Sequence, residues 1–421
     1  MNETEATGKG IEGTATGQGR LDVVDLLRGL IMVIMALDHV RHFFHASSIS
    51  PTDLNQTTVP LFFTRWITHF CAPNFILLAG VGVSLGLSRA GSRSQHARYL
   101  LIRGLWLVIL ENTLVRFGWT FSFQLTPLTA AVIWVIGWSM VVMAFLILLP
   151  DWMITAFGII LIVGHNALDG ISPSSFGSME WLWRFLHVPG QTTFFSIPVR
   201  IGYPLVPWVG VMAAGFGLGK LLLQPLEIRS RRIQMIGLFM LIGFAVLRGG
   251  NLYGDSESWV KQSRPEMTLA AILNCRKYPP SLSYLLMTLG GTLTLWPYFE
   301  RCRGPIARCL IVLGRVPLFY YVLHLPLIHG LALGVAAWRT GSEIPKISEL
   351  ITRFPRGVAG TEYGVSLTMV YFWWILVVVL LYPACLFYGR LRKRYPGGLL
   401  RFLLNNQRVG DRCDDRSSTR F

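Results

Sequence analysis

Charged residues are scarce in this chain: they make up 14% of its 421 residues, whereas hydrophobic residues make up 52%. Soluble domains have about a quarter of their residues charged, so the shortage argues against a water-soluble domain and against a disordered chain. Cysteine patterns are missing too, since the six cysteines include no CxxC motif and no paired spacing that would indicate a disulfide framework. The composition therefore predicts an integral membrane protein.

Acidic residues are also few, with 22 Asp and Glu against 38 Lys and Arg, which gives a net charge of +16. In so apolar a chain, the excess of cations is expected in loops that face anionic lipid. We predict no nucleic-acid partner, because basic patches interleaved with base-reading elements are missing.

Ten apolar segments approach the length of about 20 residues that crosses the hydrocarbon core of a bilayer. We predict an all-α polytopic membrane protein with about ten transmembrane helices, at approximately residues 23–46, 61–88, 99–118, 127–149, 152–168, 202–223, 233–250, 281–299, 309–333 and 364–388. Residues 21–389 form one transmembrane domain in this interpretation. Residues 1–20 are interpreted as a disordered cytoplasmic tail, and residues 390–421 as a basic cytoplasmic tail.

If the N-terminus is cytoplasmic, the connections 89–98, 225–232 and 300–308 and the stretch from residue 389 onward all lie inside, and all four are rich in arginine. Lys and Arg in short loops mark the cytoplasmic side of a membrane, so we predict that both termini are cytoplasmic. No organelle signal is recognisable, and the expected location is therefore the inner membrane of a bacterium.

The first apolar segment, DVVDLLRGLIMVIMALDHVRHFFHAS, carries an unusual number of ionisable residues. Each such side chain costs about 2.5–3.5 kcal/mol at the centre of a bilayer, so ionisable residues inside a spanning helix indicate a functional site. At about 100° per residue, one stripe of the helix holds Asp25, Arg28, Met32, Met35, His39 and His42. We predict that this stripe faces a polar passage within the bundle.

Arg28 and His39 lie roughly 16 Å apart along the helix axis. A cation near the cytoplasmic mouth suits a phosphate, and an imidazole in the outer half suits general-base catalysis on a hydroxyl or amine. Two structural alternatives stay open: Asp25 and Arg28 can simply anchor the end of the helix, and His39 can form an interhelical hydrogen bond without catalysis. Asp38 points about 100° away from His39 around the helix and is expected to serve another helix.

Three histidines in the same helix, His39, His42 and His45, also invite a metal interpretation. Their spacing spreads them over about 120° of the helix surface, and no HExxH motif or Cys/His pair accompanies them. We therefore predict no metal site.

Other polar residues within apolar segments are candidates for the same site. Glu111 needs a partner, because an unpaired buried carboxylate is costly, and His324 lies at roughly the depth of His39. His69 opens the second segment on its outer side. Arg103, near the inner end of the third segment, is a candidate phosphate ligand, although a lipid headgroup is the commoner partner. For Glu111 and His324, a purely structural interhelical contact is the alternative.

Several stretches carry a family resemblance: RLDVVDLLRGLIMVIMALDH, TRWITHFCAPNFILLAG, KYPPSLSYLLMTLGG and LGRVPLFYYVLH. Together they resemble the catalytic-domain family of heparan-α-glucosaminide N-acetyltransferase, a branch of the transmembrane acyltransferases, over most of residues 20–390. The opening R-x4-D-x2-RG falls on Arg20, Asp25, Arg28 and Gly29. The resemblance implies transfer of an acetyl or acyl group from cytoplasmic acetyl-CoA, or another acyl-CoA, to a sugar or amino sugar on the far side of the membrane.

The resemblance nominates two different histidines as the catalytic base. The catalytic histidine of the named enzyme lies in a segment that looks like FFHAS, at Phe43 to Ser47, which nominates His45. Related membrane O-acyltransferases place a histidine near the end of the first helix, which favours His39. We predict that His39 is the base, with His45 as the second candidate, and we include Asp38 among the catalytic residues.

A proton-coupled secondary transporter could use the same intramembrane His, Asp and Glu residues as a proton relay, and it is the competing functional class. Two matching halves with discontinuous helices would favour a transporter, and no such halves are visible in the sequence. A non-enzymatic membrane scaffold is a third option. The sequence fixes neither the carbohydrate acceptor, nor the acyl group, nor whether the chain forms a homodimer.

Overall fold

A computed structural model describes residues 15–341 and 346–395, and it is mostly helical, as predicted. The two predicted tails fall largely outside these residues. The helices α1 to α17 are Ala15–Phe44, Val59–Ile67, Cys71–Leu87, Arg93–Leu110, Arg116–Thr120, Val132–Leu146, Asp151–Gly164, Glu180–Leu186, Leu205–Leu221, Leu226–Gly249, Pro265–Leu273, Leu282–Thr294, Trp296–Arg301, Pro305–Gly314, Pro317–Thr340, Ile347–Arg353 and Leu367–Arg394. The short 3-10 or π turns are Thr68–Phe70, Glu111–Val115, His165–Leu168 and Pro173–Met179.

Five helical stretches of the described chain are long and apolar enough to cross a membrane: Val59–Leu87, Asp151–Leu168, Leu226–Gly249, Pro317–Thr340 and Leu367–Arg394. Helices also cover the other five predicted segments, but they are shorter, are interrupted or, in α1, carry many charges. The count of ten spans therefore stays a prediction, as does the cytoplasmic placement of the termini.

Three segment boundaries were wrong. The predicted segment 127–149 begins with a strand, Leu128–Ala130, and its helix α6 starts only at Val132. The predicted connection 225–232 is almost entirely helix, because α10 begins at Leu226, directly after Pro225. The predicted segment 309–333 is split into α14 and α15, with Val316 in a non-helical conformation before Pro317. The residue before a proline is disfavoured in helical geometry, which explains the break.

Helix α1 lies in the interior of the bundle and packs against α3, α14, α15 and α17. Its apolar residues Val24, Leu27, Ile31 and Val40 are buried. Its approach to α14 depends on two glycines. A Cβ atom at Gly29 would lie 1.9 Å from the carbonyl oxygen of Leu310, and one at Gly314 would lie 1.7 Å from the carbonyl oxygen of Asp25.

We expect Gly314→Ala to push α1 away from α14 and to lower the free energy of unfolding by about 1–3 kcal/mol, the usual cost of overpacking. Gly334→Ala is the matched control, because a Cβ at Gly334 would meet nothing within 4 Å. Thermal unfolding of the purified proteins in detergent measures the difference. Equal midpoints for the two variants would mean that the glycine contact is not required.

A small sheet stands beside the helices. It has three strands, β1 (Leu128–Ala130), β2 (Gly190–Phe194) and β3 (Ile197–Ile201), in the order β1-β3-β2. β1 pairs with β3 in parallel, with Leu128 opposite Val199, and β2 pairs with β3 antiparallel. A further strand, β4 (Pro355–Val358), packs beside α1 and α15. The sheet places Thr129 and Arg200 at the wall of a large cavity.

Candidate active site

A cavity of about 1170 Å³ lies beside the C-terminal half of α1. Met35, His39 and His42 of the predicted stripe line it, as does the neighbouring Asp38. The other walls come from α2 and the start of α3, from the Glu111–Thr120 region, from the sheet and from residues 274–278. Its volume of about 1170 Å³ exceeds that of a typical small-molecule site.

His39 contacts His324 of α15 at the edge of this cavity. The distance from His39 Nδ1 to His324 Nε2 is 2.6 Å, and the rings are stacked with their centroids 4.9 Å apart. His324 Nδ1 lies 2.6 Å from the carbonyl oxygen of Tyr321. His324 is fully buried, whereas His39 is partly exposed to the cavity.

These contacts fix the positions of the ring protons. A carbonyl oxygen only accepts hydrogen bonds, so His324 Nδ1 carries a proton and donates it to Tyr321. In neutral His324 the Nε2 atom is then an acceptor, and it receives the Nδ1 proton of His39. The lone pair of His39 is thereby left on Nε2, and no described residue forms a hydrogen bond with that atom. This is the arrangement of a base that is oriented by a second group.

Aromatic rings surround His39. The ring of Trp119 meets His39 edge-on with a centroid distance of 5.0 Å, and it meets His42 in the same way at 5.3 Å. Trp119 also stacks on Phe43. These contacts hold the imidazole of His39 between Trp119 and His324.

Glu111 lies in the cavity wall, and its carboxylate is hydrogen-bonded to the backbone of α6. Its Oε2 atom accepts hydrogen bonds from the backbone N–H groups of Ile133, at 2.9 Å, and Trp134, at 3.2 Å. Both belong to the first turn of α6, where a carboxylate satisfies free N–H groups and complements the helix dipole. The partner that the sequence required for Glu111 is therefore the start of a helix.

Asp38 bonds to two arginines and not to His39. Its Oδ1 accepts from Arg41 at 2.9 Å, and its Oδ2 accepts from Arg65 of α2 at 2.5 Å. This agrees with the prediction that Asp38 serves another helix. Its carboxylate is the counter-charge for part of a cationic wall.

That wall is strongly positive. Among the described residues, seven cations line the cavity against three carboxylates: the cations are Arg41, Arg65, Arg116, Arg200, Arg276, Lys277 and Arg356, and the acids are Asp38, Glu111 and Glu257. Such an excess favours anionic groups on whatever binds there. Among the sequence-predicted residues, His69 also lines the cavity and is 1% exposed, with its ring edge-on to Tyr284.

Tyr278 is a further polar group in the wall, and its hydroxyl lies 3.4 Å from that of Tyr203. Burial by itself raises the pKa of Tyr278, but the neighbouring Lys277 and Arg65 cations lower it below the usual value for a tyrosine. A tyrosine with a lowered pKa is a stronger hydrogen-bond donor.

A second, narrow cavity of about 70 Å³ lies toward the N-terminal end of α1 and is lined by Arg28, Met32 and Arg103. Arg28 donates to the carbonyl oxygen of Leu78 at 3.0 Å and lies 3.6 Å from the Asp25 carboxylate. The two cavities share lining residues, namely Phe75, Val132 and Tyr321. They therefore adjoin one another along the predicted stripe of α1.

His45 lies outside both cavity linings. It follows the end of α1, pairs with Val365 through the backbone, and accepts a hydrogen bond from the Ser47 N–H at its Nδ1 atom. The structure thus brings His39, Asp38, His69 and Glu111 to one cavity, with His324 buried behind His39. It places Arg28 and Arg103 at the adjoining cavity and leaves His45 apart.

A sequence model of the family described as heparan-alpha-glucosaminide N-acetyltransferase, catalytic, matches residues 20–249. The match covers more than half of the chain. The chain belongs to this family. A comparison with curated proteins found no match.

Membership of the heparan-alpha-glucosaminide N-acetyltransferase family places the chain among membrane acetyltransferases. The matched region contains α1 and both arginines of the narrow cavity, but it ends at residue 249, before α15. His324 therefore reaches the site from outside the matched part of the chain.

Several residues of the site have no signal in the sequence pattern. Trp119 lies near the end of α5, Arg276 in a loop, and Arg200 and Arg356 in the short strands β3 and β4, where no period relates them to α1. Lys277 and Tyr278 belong to the KYPPS stretch, whose prolines and position after a loop indicate only a turn.

Proposed function

We propose that this protein transfers an acetyl group from acetyl-CoA to a carbohydrate hydroxyl or amine in the large cavity, with His39 as the general base. The observation that supports this most directly is the orientation of His39 by His324, with the Nε2 lone pair of His39 left for a substrate at the wall of a large cavity. Membership of an acetyltransferase family supplies the reaction class.

In the proposed reaction, Nε2 of His39 takes the proton from the acceptor hydroxyl or amine as the acceptor attacks the thioester carbonyl. A new C–O or C–N bond forms, and the C–S bond breaks when the tetrahedral intermediate collapses. The leaving thiolate takes the proton back from His39 and becomes the free thiol. His324 stabilises the transient imidazolium, because its Nε2 lone pair accepts the Nδ1 proton of His39. An acetyl-histidine route uses the same atom as nucleophile.

Binding of the two substrates is proposed to divide between the cavities. Arg28 and Arg103 lie at the narrow cavity, where guanidinium groups suit the phosphates of a coenzyme A ester. At about 70 Å³ this cavity is far smaller than coenzyme A, so Met32 and the surrounding apolar side chains must move apart when the ester binds. The cationic wall then holds the acceptor in the large cavity.

The proposed function also requires a particular orientation of the protein in the membrane. With about ten spans and both termini in the cytoplasm, Arg28 lies toward the cytoplasm and His39 toward the far side of a bacterial inner membrane. Acetyl-CoA then enters from the cytoplasm, and the acceptor enters from the opposite side.

The test uses purified protein in liposomes with radiolabelled acetyl-CoA on one side and a panel of neutral, amino and acidic sugars on the other. We expect labelled sugar that forms only when folded protein is present and only on the side away from acetyl-CoA. Folded protein that labels no acceptor from either side would refute the proposal. Sugar movement driven by a pH gradient without acetylation would instead favour the transporter.

A further inference from the structure

A second cluster of potential ligands lies away from both cavities of the proposed active site. His165 belongs to the 3-10 turn after α7, Asp169 follows that turn, and His187 follows α8. One ligand atom from each residue lies within 4.8 Å of the other two. His187 Nε2 is 2.9 Å from Asp169 Oδ1, and the two imidazole rings have centroids 6.0 Å apart.

The imidazole of His165 has no hydrogen-bond partner among the described residues. It is 2% exposed, and both of its ring nitrogens are buried without a partner, as is Nδ1 of His187. Burying a polar group without a partner is costly, so such atoms indicate a ligand that completes the site.

Neighbouring groups hold the carboxylate in place. Asn166 donates its side-chain N–H to Asp169 Oδ2 at 2.8 Å, and its Oδ1 accepts from the backbone N–H of Leu282 at the start of α12. A carboxylate held by a second hydrogen-bonding residue is typical of metal sites.

We propose that His165, Asp169 and His187 bind a divalent transition metal ion, with Zn²⁺ as the best match. Two imidazole nitrogens and one carboxylate oxygen form a donor set that suits Zn²⁺, and three protein ligands leave a fourth position for water. That position has room, because Asp169 and His187 line a cavity of about 270 Å³. The cation in this cavity wall, Arg276, is committed to the Tyr278 carbonyl and to Ser256.

The ion would cross-link the region where it sits. Residues 169–179 contain only turns and a short 3-10 helix, so they have few backbone hydrogen bonds of their own. A metal bound between the end of α7 and the end of α8 holds this loop next to Arg276, which also lines the large cavity. The proposed role of the ion is to cross-link this loop, and its test does not depend on acetyl transfer.

The experiment begins with metal-stripped, folded protein in detergent. Equilibrium dialysis against ZnCl₂ with elemental analysis is expected to give one Zn²⁺ per chain, and Zn²⁺ is expected to raise the thermal unfolding midpoint. Co²⁺ in the same protein is expected to give the intense visible absorption of a tetrahedral site. Folded protein that neither binds Zn²⁺ stoichiometrically nor produces this Co²⁺ spectrum would overturn the proposal without any variant.

Variants then assign the ligands. His165→Gln, Asp169→Asn and His187→Gln are each expected to weaken Zn²⁺ binding by at least about ten-fold. His165→Cys, which supplies a thiolate ligand, is expected to retain Zn²⁺ binding. His96→Gln is the matched control, because His96 is also a buried histidine but bonds to the Val83 carbonyl. Unchanged affinity in the three ligand variants would exclude this cluster as the site.

Discussion

His39→Gln is expected to lower kcat for acetyl transfer by about 10²–10⁴-fold, the usual contribution of a positioned general base. Glutamine retains polarity and approximate size but cannot take a proton from the acceptor. Binding of acetyl-CoA is expected to change little, because the predicted phosphate ligands Arg28 and Arg103 lie at the adjoining cavity. The measurement is the rate of labelled product at saturating acetyl-CoA, with affinity for the ester measured separately.

Two further variants make this result specific. His45→Gln is expected to retain the parent rate within a few-fold, because His45 lies outside both cavity linings. The kcat of His324→Asn is expected to lie between those of His39→Gln and His45→Gln, because this variant removes the acceptor for the His39 Nδ1 proton and leaves the base in place. If His45→Gln were inactive and His39→Gln active, the assignment of the base would be reversed.

The approximate positions of most helices can be predicted from the sequence, because each long apolar segment is a local feature of the chain. The stripe on α1 was also predictable, since a 3.6-residue period fixes which side chains share a face. Five of its residues line the two cavities: Arg28, Met32, Met35, His39 and His42. Counting residues along each helix even placed His324 at the level of His39, because helical rise is constant.

The remainder of the site depends on tertiary structure that no local pattern encodes. Arg65 and Asp38 meet because α2 packs against the end of α1, and the contact spans 27 positions of sequence. The cluster of His165, Asp169 and His187 is drawn from a 3-10 turn and two connections with no recognisable ligand spacing, so the sequence pattern does not indicate it. The sequence indicates that Glu111 needs a partner. It does not indicate that the partner is the backbone at the start of a helix, because side-chain chemistry alone does not show where that helix begins in space.

Asp38→Asn is expected to lower the free energy of unfolding by about 3 kcal/mol, the cost of leaving a buried cation without its counter-charge. The Asp38 side chain is 20% exposed, and its carboxylate bonds to Arg41 and Arg65 at once. Asparagine retains the shape but leaves two guanidinium groups facing each other, with Lys277 in the same cavity wall. Denaturant titration in detergent measures the change.

Asp151→Asn is the matched control, because Asp151 also bonds to two cations, Arg93 and Lys220, but its side chain is 35% exposed. Screening by solvent should hold its cost below about 1 kcal/mol. The double variant Asp38→Asn/Arg65→Gln is expected to be more stable than the sum of its single variants implies, because removing one cation relieves the repulsion created by removing the acid. Additive effects in the double variant, or equal losses of stability in Asp38→Asn and Asp151→Asn, would contradict this role of the Asp38 carboxylate. The positive charge of the cavity wall would then have to be stabilised by water alone.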